Sequence, residues 1–343
     1  MLIARLIKSD TDLYRRIRER IGLMDSVFLL RPSLMFPVWI MIVAGMGSAR
    51  SQIIPELYWV KQVHWETVVF FVGLTLMAGS TFLRFQVKNH SADRLNRTVT
   101  ALGNRDMNAA DVRALALWLM AGGLALTAGV SIHGLVATGE WASSMSTLWA
   151  ILTTLTWLVF HAGDRFQWFA RPVLGVVTYI LTGLFLFMVG WTYGSGPFGS
   201  GLVYAVPYVL LFVAISILTA VPDREGDRGA GKKTFALRFG VGATVALSTA
   251  FVGAAAVLGY LLNDPVISTG STIALPFFLV ALVFSRMDHV VRAIRYPVLI
   301  LAIFVSVKYP WLFVALVVVY FGSKVYYYFR FNIDYPTFHV SQE

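Results

Sequence analysis

Apolar runs of roughly twenty residues, each long enough to cross a bilayer as a helix, recur along the chain. They fall at Val27–Ala49, Trp65–Arg84, Val112–Val136, Trp141–His161, Pro172–Thr192, Gly201–Val221, Val241–Leu262 and Val266–Ser285. A last block, Val290–Phe329, is too long for one ordinary span, and Lys308-Tyr309-Pro310 divides it. Only 13% of the 343 residues are charged, against about a quarter in a soluble domain. The expected fold is an all-α integral membrane protein, a bundle of nine helices if the last block is one span plus an interfacial helix, or ten if it is a tight hairpin.

Basic residues set the orientation. Arg84, Lys88, Arg94, Arg97, Arg105 and Arg113 follow the second span; Arg165 and Arg171 follow the fourth. Arg224, Arg228, Lys232, Lys233 and Arg238 follow the sixth, and Arg286, Arg292 and Arg295 the eighth. The alternate turns Ala137–Glu140, Tyr193–Ser200 and Asn263–Pro265 carry no Lys or Arg. By the positive-inside rule the amino terminus and the charged loops are expected in the cytoplasm, at a bacterial or archaeal-type inner or plasma membrane. The net charge of +10 then reflects loops facing anionic lipid. No basic soluble domain exists to carry nucleic-acid binding. Zero cysteines exclude disulfides, iron–sulfur clusters and thiolate zinc sites.

The expected organisation is a basic amphipathic segment at the membrane surface over residues 1–26, a membrane domain over 27–330 and a tail over 331–343. Cytoplasmic loops are expected at 85–111, 162–171 and 222–240. Gly73, Gly79, Gly122, Gly123 and Gly129 are candidates for close helix packing. Trp157, Trp168 and Trp191, near span ends, read as interface anchors, with cation-stabilising ring faces as the alternative.

Two charged segments rhyme. Asn89 and Asp93 lie four residues apart after the second span, followed by Arg94 and Arg97; Asp223 and Asp227 repeat the spacing after the sixth, followed by Arg228, Lys232 and Lys233. Positions i and i+4 share a helix face, so each pair presents its oxygens together. A separation of four spans indicates two four-helix repeats around a central cavity, with the clusters opposed. Oxygen ligands of this kind suit magnesium, which takes one or two carboxylates and completes its shell with water and phosphate oxygens. The Arg and Lys neighbours complement phosphate charge. An apolar bundle below them points to a ligand with a diphosphate head and a hydrocarbon tail.

The stretch DREGDRGAGKKTFALRFG, Asp223 to Gly240, closely resembles the second aspartate-rich motif of the UbiA superfamily of intramembrane prenyltransferases. The match covers Asp223, Glu225, Gly226, Asp227, Arg228, Gly231, Thr234 and Gly240. DRLNR, Asp93 to Arg97, resembles the end of that family's first motif, and Arg31-Pro32 fits the entry to its first span. The first motif departs from the pattern: Asn89 stands where an aspartate is usual, Phe85 where Asn or Asp is usual, and Thr98 replaces a proline. Asn can coordinate a hard cation through its carbonyl oxygen; Phe85 cannot.

The resemblance implies an isoprenyl diphosphate ionised with Mg2+ and an allylic cation captured by a lipophilic or aromatic acceptor, as in quinone- or pigment-type pathways. It implies catalytic roles for Asp93, Asp223 and Asp227, and metal coordination by Asp223 and Asp227, with Asp93 and Asn89 holding or hydrogen-bonding a second ion. Lys88, Arg94, Arg97, Arg228 and Lys232 are expected on the diphosphate. Arg165 resembles the basic residue the family uses between the fourth and fifth spans, its alternative being a loop charge paired with Asp164. His161 reads as an acid–base group or a satisfied histidine near the membrane surface. Two rivals remain: a terpene cyclase on the same scaffold, and a non-catalytic diphosphate binder. Transport is disfavoured, because the mid-span positions are almost free of ionisable groups.

Overall fold

A computed structural model of the chain describes residues 24–53, 63–95, 109–139, 141–163 and 165–336. Every regular element among them is helical, as hydrocarbon requires of segments that must satisfy their own backbone groups. The membrane helices are α1 (Met35–Ile53), α2 (Trp65–Leu95), α3 (Ala109–Thr138), α4 (Ala142–Leu155), α5 (Pro172–Tyr193), α6 (Phe198–Thr219), α7 (Phe235–Leu261), α8 (Pro265–Phe284), α9 (Met287–Lys308) and α10 (Pro310–Phe331). Among the described residues, nine helical stretches are long and apolar enough to cross a membrane. The remaining helix, α4, continues directly into a π-helical turn, Thr156–His161, and the joined rod covers the expected span. The chain is an integral membrane protein.

Local chemistry explains the boundaries. Pro310 has no N–H to continue a helix and bars its predecessor from helical geometry. Tyr309 accordingly sits at φ −128°, ψ 76°, and the Val290–Phe329 block becomes two helices. The first span starts later than expected: a short helix, Asp25–Leu29, ends before Arg31, which takes the left-handed conformation (φ 52°) ahead of Pro32. Residues 85–95, expected as loop, extend α2 to Leu95. The segment 222–240 holds a short helix, Arg224–Gly229, and the first turn of α7. Gly240 breaks that turn from the span proper with φ 85°, a conformation that glycine adopts without steric penalty.

The packing repeats with a shift of four helices. α2 lies on α3, α3 on α4 and α4 on α5; correspondingly α6 lies on α7, α7 on α8 and α8 on α9. α1 and α5 cross at close range because Gly45 and Gly190 face each other's backbones. A Cβ at Gly190 would meet Ile42 O at 1.7 Å, and one at Gly45 would meet Phe187 O at 2.1 Å. Gly73 and Gly123 make a similar approach between α2 and α3, whereas Gly122 and Gly129 face open space. Those two therefore play no part in close packing within the chain.

At the end of the bundle away from the charged segments, Asp264 caps α8 by accepting from Val266 N at 3.1 Å. It also accepts from Ser48 Oγ of α1 at 2.7 Å and Tyr208 OH of α6 at 3.0 Å. One buried carboxylate thus ties three helices together. At the charged end, buried Asp25 accepts from Tyr326 OH at 2.7 Å and pairs with Arg330 at 3.0 Å. This joins the segment before α1 to the end of α10.

Candidate functional site

A cavity of about 590 Å³ opens among the helices at the charged end and descends into the apolar interior. On α2 its wall runs from Asn89 through Phe85 down to Leu74, roughly 22 Å at 1.5 Å per residue. The short helix Arg224–Gly229 packs directly on α2. Asn89 of the first charged segment and Asp223 and Asp227 of the second therefore share one cavity mouth. The floor is apolar, with Ile42, Leu74, Met77, Ala150, Leu186 and Val189.

Asp227 is held by its own segment. Lys232 Nζ lies 2.5 Å from Asp227 Oδ1, each side chain only 9% exposed, and Lys232 N donates to Asp227 O at 3.0 Å. The tight turn that permits this passes through Gly231 at φ 72°. The same ammonium stands 4.9 Å from the centre of the Phe169 ring, a cation–π distance. Lys233 N, next along, donates to Ala170 O at 2.9 Å, which fixes the second charged segment against the connection between α4 and α5. Thr234 Oγ1 is on the cavity wall, buried, and has no hydrogen-bond partner among the described residues.

The other expected site residues are distributed differently. Lys88 is not among the residues lining the cavity and donates to Ala162 O at 2.5 Å, joining α2 to the end of the π turn. Arg165 and Arg228 are exposed and do not line the cavity. Asp93 and Arg94 continue the helix of α2, but their side chains, like all of Arg97 and Asp164, lie outside the described residues. Two cavity-wall cations were not singled out as site residues: Arg31, in its left-handed turn, and Arg295 of α9. Arg295 has the same sequence signal as any topology charge; the packing of α9 against α1, α6 and α8 puts it on the cavity wall.

A group of aromatic rings forms the upper wall. Phe85 lies 5.9 Å from Trp157, 5.5 Å from Phe169 and 5.5 Å from His161, centre to centre. Trp157 and His161 lie 4.3 Å apart on the π turn, whose wider winding presents both to the cavity; such turns recur at functional sites. Trp157 is therefore part of the wall and not an interface anchor. Trp191 is fully buried, donating to Pro197 O at 2.9 Å. His161 is buried too, with Nδ1 2.8 Å from Thr178 Oγ1. Thr178 donates its one proton to Gly175 O at 2.7 Å, so the imidazole Nδ1 is the donor to Thr178 Oγ1.

Among the described residues no three His, Cys, Asp or Glu side chains converge. The set at the mouth is instead two carboxylates, one amide oxygen, a lysine and an unpartnered hydroxyl. That set fits a hard, partly hydrated cation bound together with an anionic oxygen ligand.

Comparison with known proteins identifies the fold and the family. Curated protein sequences give no match. Among solved structures, a UbiA homolog from Archaeoglobus fulgidus bound to DMAPP and Mg2+ superposes with a TM-score of 0.62 at 17% identity, covering 84% of this chain and 98% of its own. The same homolog bound to GPP and Mg2+ gives 0.61 at 17% identity, covering 83% and 99%. A digeranylgeranylglyceryl phosphate synthase gives 0.52 at 14% identity, covering 87% and 98%. These likenesses establish a shared fold. The sequence model of the UbiA prenyltransferase family matches residues 34–306, most of the chain. The protein belongs to the UbiA prenyltransferase family.

Proposed function

We propose that this protein transfers an isoprenyl group from an isoprenyl diphosphate to a lipophilic or aromatic acceptor, with the charged end of the bundle in the cytoplasm. The observation that carries this reading is the single cavity joining Asn89, Asp223, Asp227 and Lys232 at its mouth to an apolar floor within the bilayer. A diphosphate is too anionic for the floor and an isoprenyl tail too apolar for the mouth, so the cavity fits a molecule having both.

Asp223, Asp227 and Asn89 would hold Mg2+, with Asp93 the further candidate from the first segment. Bound there, the metal supplies positive charge against the diphosphate oxygens. Lys232 and the Thr234 hydroxyl take other oxygens, and Arg31 or Arg295 answers negative charge on the opposite wall. Exposed Arg165 and Arg228, with Arg94 and Arg97, draw the anionic donor to the mouth. Lys88, tied to Ala162, positions α2 and stays off the diphosphate.

With the head fixed, the C1–O bond breaks heterolytically and its electron pair leaves on the diphosphate oxygen. Charge placed where the leaving group gains it lowers the barrier, each roughly 1.4 kcal/mol giving a tenfold rate increase. The apolar walls keep water from the allylic cation. An acceptor carbon supplies the electron pair for the new C–C bond, and its proton passes to the released diphosphate.

A second reading rests on the aromatic upper wall: an internal alkene captures the cation and the enzyme is a cyclase. One experiment tests both. Purified protein is incubated with geranyl, farnesyl and geranylgeranyl diphosphates and Mg2+, with and without a lipid extract as acceptor source. Acceptor-dependent diphosphate release supports transfer, and terpene formed without acceptor supports cyclisation. No diphosphate release under any condition rules out both.

A further inference from the structure

The sequence departure at Phe85 removes a possible metal ligand, but the structure gives the ring a position of its own. Phe85 is the hub of a cluster in which Phe82, Trp157, His161, Phe169 and Tyr179 all line the same cavity. Phe85 meets Trp157 at 82° and Phe169 at 80°, and Phe82 meets Trp157 at 86°. These are edge-to-face contacts, each of which covers one face of one ring; Phe85 and Trp157 both stay partly exposed on the cavity wall. The cluster begins immediately below the carboxylates: Phe169 carries the Lys232 ammonium at 4.9 Å, and that ammonium is bonded to Asp227. His161 and Tyr179 complete the wall, with centres 5.6 Å apart.

From this geometry we infer that Phe85 and Trp157 are catalytic residues whose ring faces bind the allylic carbocation, making the upper wall a cation site. The inference rests on the ionisation proposed above. The positive charge arises at C1 and is shared with C3, one bond from the departing oxygen and so directly below the diphosphate. At that level the cavity presents rings and no described carboxylate other than Asp223 and Asp227, which are committed to the head group. A carboxylate there would capture the cation as an ester. Ring faces stabilise positive charge without offering a lone pair that bonds to it. Lys232, 2.5 Å from Asp227, belongs with the carboxylates and the diphosphate oxygens above the rings, where its charge is answered by theirs.

The test uses full-length protein in nanodiscs with Mg2+ and two matched probes added with inorganic pyrophosphate: a trialkylammonium analogue of the geranyl cation and its neutral carbon isostere. Geranyl S-thiolodiphosphate, which does not ionise readily, measures donor binding separately and reports an intact site in each variant. Phe85→Leu and Trp157→Leu should each weaken the ammonium probe about 2- to 30-fold, with the neutral isostere and thiolodiphosphate moving less than about twofold. Phe85→Tyr should retain wild-type affinity for the ammonium probe. Equal losses on charged and neutral probes would reduce the rings to packing and overturn the inference, as would no loss on either. If wild-type protein binds the thiolodiphosphate but does not prefer the ammonium to its isostere, the cation site falls and donor binding stands. If it does not bind the thiolodiphosphate at all, both fall.

Discussion

Lys232 Nζ lies 2.5 Å from Asp227 Oδ1 with both side chains 9% exposed. The carboxylate most central to the second charged segment therefore carries a built-in counter-ion. Removing one partner strands the other charge in a poorly hydrated place. Asp227→Asn should lower stability by about 3 kcal/mol, read as a fall in Tm in detergent. The double variant Asp227→Asn with Lys232→Met leaves neither charge and should recover most of that loss. If the losses simply add, the pair is not coupled. Catalytically both Asp227 variants should fall about 10²- to 10³-fold in kcat, since restored stability does not restore the carboxylate.

Asn89 shares the cavity mouth with Asp223 and Asp227 but offers a neutral oxygen. Cation affinity at oxygen sites rises with ligand charge. Asn89→Asp should therefore lower the Mg2+ concentration needed for half-maximal turnover, by roughly severalfold. Chelation with EDTA should abolish turnover in both proteins, and added Mg2+ should restore it at the lower concentration in the variant. Titration of Mg2+ against diphosphate release reads the difference. An unchanged midpoint would place Asn89 outside the metal shell.

The fold was legible because hydrocarbon leaves a chain so little choice: length and apolarity of the runs located the helices, and Lys308-Tyr309-Pro310 located the hairpin between α9 and α10. The second charged segment was legible through local spacing, since Asp223, Asp227 and Lys232 meet within a single helix and the turn after it. Long-range relations were not. Arg295 and Arg105 are equivalent as loop charges, and nothing local indicates that α9 turns Arg295 onto the cavity wall. Trp157 looked like an anchor because it stands near a span end. The π winding of Thr156–His161, which no residue pattern announces, turns it inward. Gly122 and Gly129 illustrate the converse: small residues permit close approach, but a facing backbone must be there to use it.

Ala150 of α4 lies on the apolar floor, 4% exposed, and eleven positions before His161, roughly 16 Å down the helix. Nothing larger than a methyl group projects there from this position. Ala150→Phe should block the floor and leave the mouth intact, shifting preference toward shorter donors. The ratio of kcat/KM for geranylgeranyl to geranyl diphosphate should fall about tenfold or more, as expected when several methylenes lose their pocket. A uniform loss for every donor length would show that the tail does not reach α4.

Asp264 sits at the opposite end of the bundle from the candidate site, and its role is mechanical. Asp264→Ala removes the cap of α8 and leaves Ser48 and Tyr208 without their acceptor. The combined loss should be about 2–4 kcal/mol, measured as a lower Tm. KM for the donor should stay unchanged at temperatures where the variant is folded. A selective rise in KM would show that this end communicates with the mouth.

Thr234 offers a prediction with opposite signs for stability and binding. Its hydroxyl is buried without a partner among the described residues and lies on the cavity wall beside Lys232. Thr234→Val keeps the shape and deletes the unsatisfied group, so the ligand-free protein should be unchanged or slightly more stable. A hydroxyl that donates to a diphosphate oxygen is worth about 1.5–3 kcal/mol, so the same variant should bind geranyl S-thiolodiphosphate about 10- to 150-fold more weakly. Thr234→Ser should retain most of the affinity. Thermal melts with and without the thiolodiphosphate separate the two effects: the variant should match or exceed wild type alone and lose the ligand-induced rise in Tm. Loss of stability in the ligand-free variant would mean that the hydroxyl supports the fold instead of the donor.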